Sequence, residues 1–148
     1  MKANNVKNTT LTGLAIVGTF IANQLGGWDT ALAVLVGFMA ADFLTGSILA
    51  LVFHKSEKTD AGKYSSSIGY KGIVKKAVML LEVWIAVLLD ELTGTPYFRN
   101  AMILFLVGNE GLSILENIGL MGVPLPPFLK NALEALKDKN ANAETPNA

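Results

Sequence analysis

The stretch Ala31–Phe53, ALAVLVGFMAADFLTGSILALVF, constrains this chain more than any other. It is apolar throughout except for Asp42 near its middle and the small polar residues Thr45 and Ser47. About 20 helical residues cross the roughly 30 Å hydrocarbon core of a bilayer, so the run is long enough to span. An ionisable side chain at mid-depth in such a run is costly and marks a candidate functional position. The rest of the chain fits the same solvent. Hydrophobic residues make up 51% of the 148 positions and charged residues only 16%, a balance that favours a small membrane protein over a soluble domain.

Composition also excludes several chemistries. The formal net charge of +0 argues against nucleic acid as a partner, because phosphate binding needs a basic excess. There is no cysteine, hence no disulfide, thiol nucleophile or thiolate metal site. With His54 as the one histidine, neither a histidine-based metal cluster nor a catalytic triad can be assembled in one chain. No catalytic residue, cofactor site or metal site is expected, and the chain does not read as an enzyme.

Taken in order, residues 1–10 are polar and aperiodic and read as a flexible arm. Lys2 and Lys7 before the apolar Leu11–Ala22 imitate a signal peptide, with Ala31-Leu32-Ala33 as a small-residue cleavage pattern. Cleavage there would begin a chain inside the next apolar run, so the segment is read as retained. The expected fold is an all-α integral membrane protein with spans at about 11–25, 31–53, 73–92 and 96–118. The span count is three if the short first segment does not cross. Trp28, in the turn after that segment, suits the headgroup level. Residues 56–72 read as a polar loop. Lys75 and Lys76 open span three at the membrane interface. Thr95 reads as an N-cap ahead of Pro96 at the start of span four, and Gly119 and Gly122 end that span before Pro124, Pro126 and Pro127. Residues 119–139 form a proline-rich turn and a short amphipathic helix on which Phe128, Leu129, Ala132, Leu133 and Leu136 recur at helical spacing. Residues 140–148 read as disordered.

Charge sets the expected topology. Of the 12 basic residues, 11 fall in the N-terminal arm, in the loop between spans two and three with its flanks, and in the C-terminal tail, while Arg99 lies on the other side. The positive-inside rule places both termini in the cytoplasm of a multi-pass protein with four spans; if the first segment does not cross, the N-terminus lies outside and the rest is unchanged.

Acidic groups in or beside the spans are the candidate site residues. They are Asp42, Glu82, Asp90, Glu110 and Glu116, and no lysine or arginine lies deep in a span to neutralise them. A charge at mid-bilayer costs about 2.5–3.5 kcal/mol on insertion scales. Helical spacing gathers Lys75, Met79, Glu82, Ala86 and Asp90 on one face of span three. It places Glu110, Ser113 and Asn117 on one face of span four, with Asn109 and Glu116 beside it. Asp42 and Gly46 are one turn apart in span two, near Thr45. Small residues let helices approach and polar ones bond across, so these faces should avoid lipid by packing within the protomer or by self-association. For Glu110 and Glu116, structural pairing and a role in a lumen or assembly both remain open; Asp42 leans towards assembly or a pore. His54 reads as a solvated loop residue, and Trp84 and Phe105 as packing.

These landmarks together resemble the toxin-secretion/phage-lysis holin family. The matching residues are Asp42-Phe43-Leu44-Thr45-Gly46, Ser65-Ser66-Ser67-Ile68-Gly69, Gly72-Ile73-Val74-Lys75-Lys76, Asp90 and Arg99. They continue through Glu110-Gly111-Leu112-Ser113-Ile114-Leu115-Glu116-Asn117 and Gly122-Val123-Pro124-Leu125-Pro126, so that the likeness runs from Ala31 to Lys137. The resemblance implies a phage-encoded protein of the bacterial cytoplasmic membrane that forms homo-oligomers and opens the bilayer. An endolysin, or in some relatives a toxin, would then escape without having to touch it. Asp42, Glu110, Glu116 and Asn117 would line or hold the lesion. Two other classes compete: a small ion- or proton-conducting transporter or channel, which also uses intramembrane carboxylates, and a non-conducting membrane scaffold.

Overall fold

A computed structural model describes residues 2–54 and 66–131. Within them the chain is helical, with α1 over Lys2–Gln24, α2 over Thr30–Ile48, α3 over Ser66–Thr93 and α4 over Tyr97–Leu120. A π-helical turn, Leu49–Phe53, extends α2. It ends at His54, which takes a left-handed conformation (φ 53°) and is exposed, as a loop residue should be.

Glycine supplies the helix ends. At the close of α1, Gly26 (φ 85°) donates its N–H to the Asn23 carbonyl and Gly27 donates to the Ala22 carbonyl. After α4, Gly122 (φ 88°) donates to Gly119 and Val123 donates to Ile118. Both are Schellman ends, in which a left-handed residue lets its own N–H and that of the next residue satisfy the last carbonyls. The prolines beyond Gly122 then prevent continuation, and residues 127–131 turn helical again.

Several expected boundaries move. α1 reaches back to Lys2, through the stretch read as an arm; no proline or glycine interrupts it before Gly13, and polarity by itself does not stop a helix. α3 begins at Ser66, so Ser66 to Gly72, expected in a loop, form its first turns. Residues 55–65, most of the amphipathic segment beyond 131 and the tail 140–148 lie outside the described residues.

The span count is also coarser than expected. Thr30–Phe53 and Tyr97–Leu120, each 24 residues, are long and apolar enough to cross a bilayer. α1 and α3 do not meet that description. The first half of α1 is polar, and Lys75, Lys76, Glu82, Asp90 and Glu91 divide the apolar run of α3.

The chain forms two compact units, one of residues 1–37 with 73–107 and the other of residues 38–72 with 108–148. In the first, the buried side chains are Leu25, Leu32, Leu35, Met79, Val83, Ala86, Arg99, Ile103 and Leu106. From Thr9 onward α1 adds little to this core: Leu11, Ile16, Val17, Phe20 and Ile21 are all exposed. In the second, Met39, Leu49, Ala50, Glu110 and Asn117 are buried. Both units turn large apolar side chains outward, including Leu44, Val52, Ile85, Leu88, Leu104 and Phe105. Phe105, expected to pack, is 68% exposed. Apolar surface on this scale is stable against lipid rather than water.

The two glycine ends predict different sensitivities. A Cβ on Gly122 meets nothing within 4 Å, whereas one on Gly26 would lie 2.6 Å from Arg99 Nε. Gly122→Ala should therefore cost about 1 kcal/mol, from the positive φ alone, and Gly26→Ala distinctly more. Reversible unfolding in detergent mixtures measures both.

Candidate functional site

α4 carries the polar interior. Arg99, Ile103, Leu106, Glu110 and Asn117 are its buried residues, and their spacing of four, three, four and seven traces one stripe of the helix. Glu110 is 1% exposed and Asn117 6%. Ser113, between them, is half-buried, as is Glu116 beside them. The face expected from spacing is thus the inward face.

In the second unit Asn117 joins α4 to α2. Its Nδ2 donates to Asp42 Oδ1 at 3.2 Å and to Thr45 Oγ1 at 3.1 Å. Thr45 Oγ1 in turn donates to the Asp42 carbonyl at 3.1 Å, so the hydroxyl accepts on one side and donates on the other. Gly46 lies alongside: a Cβ there would sit 3.5 Å from Asn117 Nδ2, an ordinary van der Waals contact, so the approach does not depend on glycine. Four candidate residues, Asp42, Thr45, Gly46 and Asn117, therefore meet inside one protomer. A neutral amide meets the carboxylate without bringing a second charge to this depth, which limits the desolvation cost.

The remaining candidates lie in the first unit. On α3, Met79 and Ala86 are buried, Glu82 and Asp90 half-buried, and Lys75 exposed, so the expected shared face points inward from Met79 to Asp90. Lys76 is half-buried, and Trp28 is 65% exposed on the turn between α1 and α2. Asp90 does what Thr95 was expected to do. Its Oδ1 accepts the Phe98 N–H at 2.7 Å and its Oδ2 the Arg99 N–H at 3.0 Å, which satisfies the first turn of α4 and puts a negative charge at its positive end.

Arg99 forms a clasp that helical spacing gave no means of finding. Its Nε donates to the Leu25 carbonyl at 2.6 Å and its Nη2 to the Gly27 carbonyl at 3.2 Å. Nη1 and Nη2 meet Asp29 Oδ2 and Oδ1 at 2.7 and 3.0 Å, a two-pronged pair. Asp29 Oδ1 also accepts the Leu32 N–H at 2.9 Å and so caps α2. The Arg99 hydrogen bond, followed by that cap, lowers the Asp29 pKa from 3.8 to about 2. The available signal was compositional: Arg99 is the one arginine in the chain, and Asp29 precedes an apolar helix at the N-cap position.

Helices that turn apolar side chains outward, and that hold Arg99, Glu110 and Asn117 within a mainly apolar core, define a helical membrane protein over the described residues. The chain belongs to the bacteriophage holin family, whose match covers residues 19–138. It is 39% identical over 130 residues to an uncharacterized protein of Clostridium perfringens, covering 86% of this chain and 90% of that one. It is 36% identical over 133 residues to an uncharacterized protein of Listeria monocytogenes, covering 89% of each. A probable holin of Bacillus phage phi105 is 32% identical over 102 residues, covering 67% of this chain and 68% of its own. No solved structure matches the chain. The family is non-enzymatic, which agrees with the expectation from the sequence.

Two predictions follow from the clusters. Asn117→Leu removes both bonds to α2 and should destabilise the protein by about 1–2 kcal/mol in detergent unfolding, while Thr45→Ala, which removes one, should cost less. Asp29 is ionised in the folded state down to about pH 2, so its contribution is complete above its ordinary pKa and fades as pH falls from about 4 towards 2. The stability difference between the natural protein and Asp29→Asn should be flat from about pH 7 to 5 and close below that range. Asp29 is 47% exposed, so salt should reduce the difference.

Proposed function

We propose that this protein is a holin that accumulates in the bacterial cytoplasmic membrane, self-associates and opens lesions through which an endolysin, or a toxin, leaves the cytoplasm. One observation carries the reading: in a family of phage holins, this chain stores Glu110, Asn117 and the Asp42 carboxylate on inward faces and turns apolar side chains outward. A protomer arranged in this way can collect in lipid without leaking. To line a water-filled opening, the same stripe must turn from the protomer interior to the lumen, which requires α2 and α4 to part at Asp42 and Asn117. Many copies around one opening would share the cost of that change, so opening depends steeply on concentration.

In this proposal four helices cross, with both termini cytoplasmic, Lys75 and Lys76 at the cytoplasmic surface and Trp28 at the opposite headgroup level. α1 and α3 would enter beside the two strongly apolar helices rather than alone. Glu82 and Ser113 would join Asp42, Thr45, Gly46, Glu110, Glu116 and Asn117 in the lining, and Asp90 would hold the α3–α4 turn.

Inducible expression in bacteria with and without a cytosolic endolysin tests the proposal. Membrane potential should collapse abruptly in both cultures, and turbidity should fall only with the endolysin. Asp42→Leu and Glu110→Leu should insert normally and block lysis, because apolar replacements leave the opening without groups to hold water. Passage of ions without release of a folded enzyme would instead identify a small channel, and unaltered lysis timing in both variants would remove the carboxylates from the mechanism.

A further inference from the structure

Within the two helices apolar and long enough to span, the polar residues are turned inward or lie near a helix end, with one exception. Asn109 is exposed, and it stands at the middle of Tyr97–Leu120, where a bilayer is driest. Asn100, also exposed on α4, lies in the first turn and donates to the Pro96 carbonyl at 3.1 Å. Among the described residues no comparable bond occupies the Asn109 carboxamide. Next to it, Gly108 is exposed and a Cβ there would meet nothing within 4 Å, and Leu112 follows on the same outward side at 37% exposure.

We propose that the Gly108–Asn109–Leu112 face of α4 is the contact between two copies of this chain in the membrane, closed by a hydrogen bond between their Asn109 carboxamides. The inference rests on the membrane-spanning reading of α4 given above. An amide in hydrocarbon is stable only when its donors and acceptor are met. Lipid tails offer neither. A second copy offers both at the required depth, because identical chains inserted the same way hold residue 109 at the same level. About a two-fold axis along the membrane normal, each carboxamide donates to the other's oxygen, which makes the contact self-complementary. Gly108 adds no side chain beyond its Cα, so the two helix backbones can come close enough for that bond. The inward candidates do not supply such a contact, since Asp42 and Asn117 meet within one protomer.

The chain has no cysteine, so a single introduced one reports contact in native membranes. Leu112→Cys should cross-link into dimers on mild oxidation, and Leu44→Cys, on the outward side of α2, should not exceed a low collisional yield. In the Leu112→Cys background, Asn109→Leu and Gly108→Leu should each lower the dimer yield at least about fivefold, while Asn109→Gln should retain most of it. Equal yields at 112 and 44, or a yield unmoved by Asn109→Leu and Gly108→Leu, would overturn the contact. Should Asn109→Leu fail to accumulate in membranes, the Gly108→Leu and Asn109→Gln yields decide alone. Lysis with the endolysin is followed in the same cultures. Dimers that depend on Asn109 without any endolysin release would leave the contact standing and remove the holin reading; release without such dimers would do the reverse.

Discussion

Hydrocarbon cannot hydrogen-bond, and this organises the molecule. In water, a helix bundle hides its apolar stripe and solvates its polar one. Here the arrangement is partly inverted along α4: Glu110 and Asn117 join Ile103 and Leu106 on the buried stripe, while Leu104 and Phe105 are exposed. The inversion does not depend on propensity, since both faces are equally helical. It follows from the cost of leaving a carboxylate or an amide where no partner exists. The inward stripe is therefore the feature from which helix orientation follows, and the apolar side chains take what remains of the surface.

The two polar clusters solve the same difficulty differently. At the helix ends, Arg99 and Asp29 carry full charges, and Asp29 keeps access to solvent. A guanidinium that also meets the Leu25 and Gly27 carbonyls is well satisfied there. The bridge thus works as a geometric clamp on two turns, beside a Gly26 whose missing side chain gives Arg99 its room. Deeper in the chain, Asn117 is neutral and divides its donors between a carboxylate and a hydroxyl. A second charge at that depth would add its own desolvation cost, and an amide avoids it. Such a contact ties α4 to α2 through two hydrogen bonds and one formal charge at most.

Spacing alone revealed which residues share a face. Glu110, Ser113 and Asn117, and likewise Asp42 and Gly46, sit where a 3.6-residue repeat puts them. Spacing cannot say what each face meets, and so the bond between Asp42 and Asn117, 75 positions apart in one chain, leaves no local signal in the sequence. The Arg99 clasp was hidden for the same reason, because a contact spanning 70 residues leaves no local periodicity. Boundaries failed in another way. Lys, Ser and Gly between Ser66 and Gly72 look like a loop by polarity, yet none of them breaks a helix once α3 has somewhere to extend. Only Thr30–Phe53 and Tyr97–Leu120 carry apolar runs long enough to cross by length and composition, so the sequence speaks for crossing most directly there.

Adjacent positions on α4 show how one helix can serve two tasks. A step of one residue turns the side chain by about 100°, so Glu110 points into the protomer while Asn109 points away from it. In the proposed mechanism the inward group would govern opening, and the outward one which surface a neighbour meets first. Because the two are separate side chains on separate faces, association and opening need not be one event. Copies can pair through the outer face of α4 while the Asp42–Asn117 bond still holds the inner face closed. Under the proposed function and the proposed Asn109 contact, accumulation without leakage would follow: the contact that gathers protomers would leave the polar stripe undisturbed, and opening would wait until enough neighbours were present to replace the bonds that each protomer gives up.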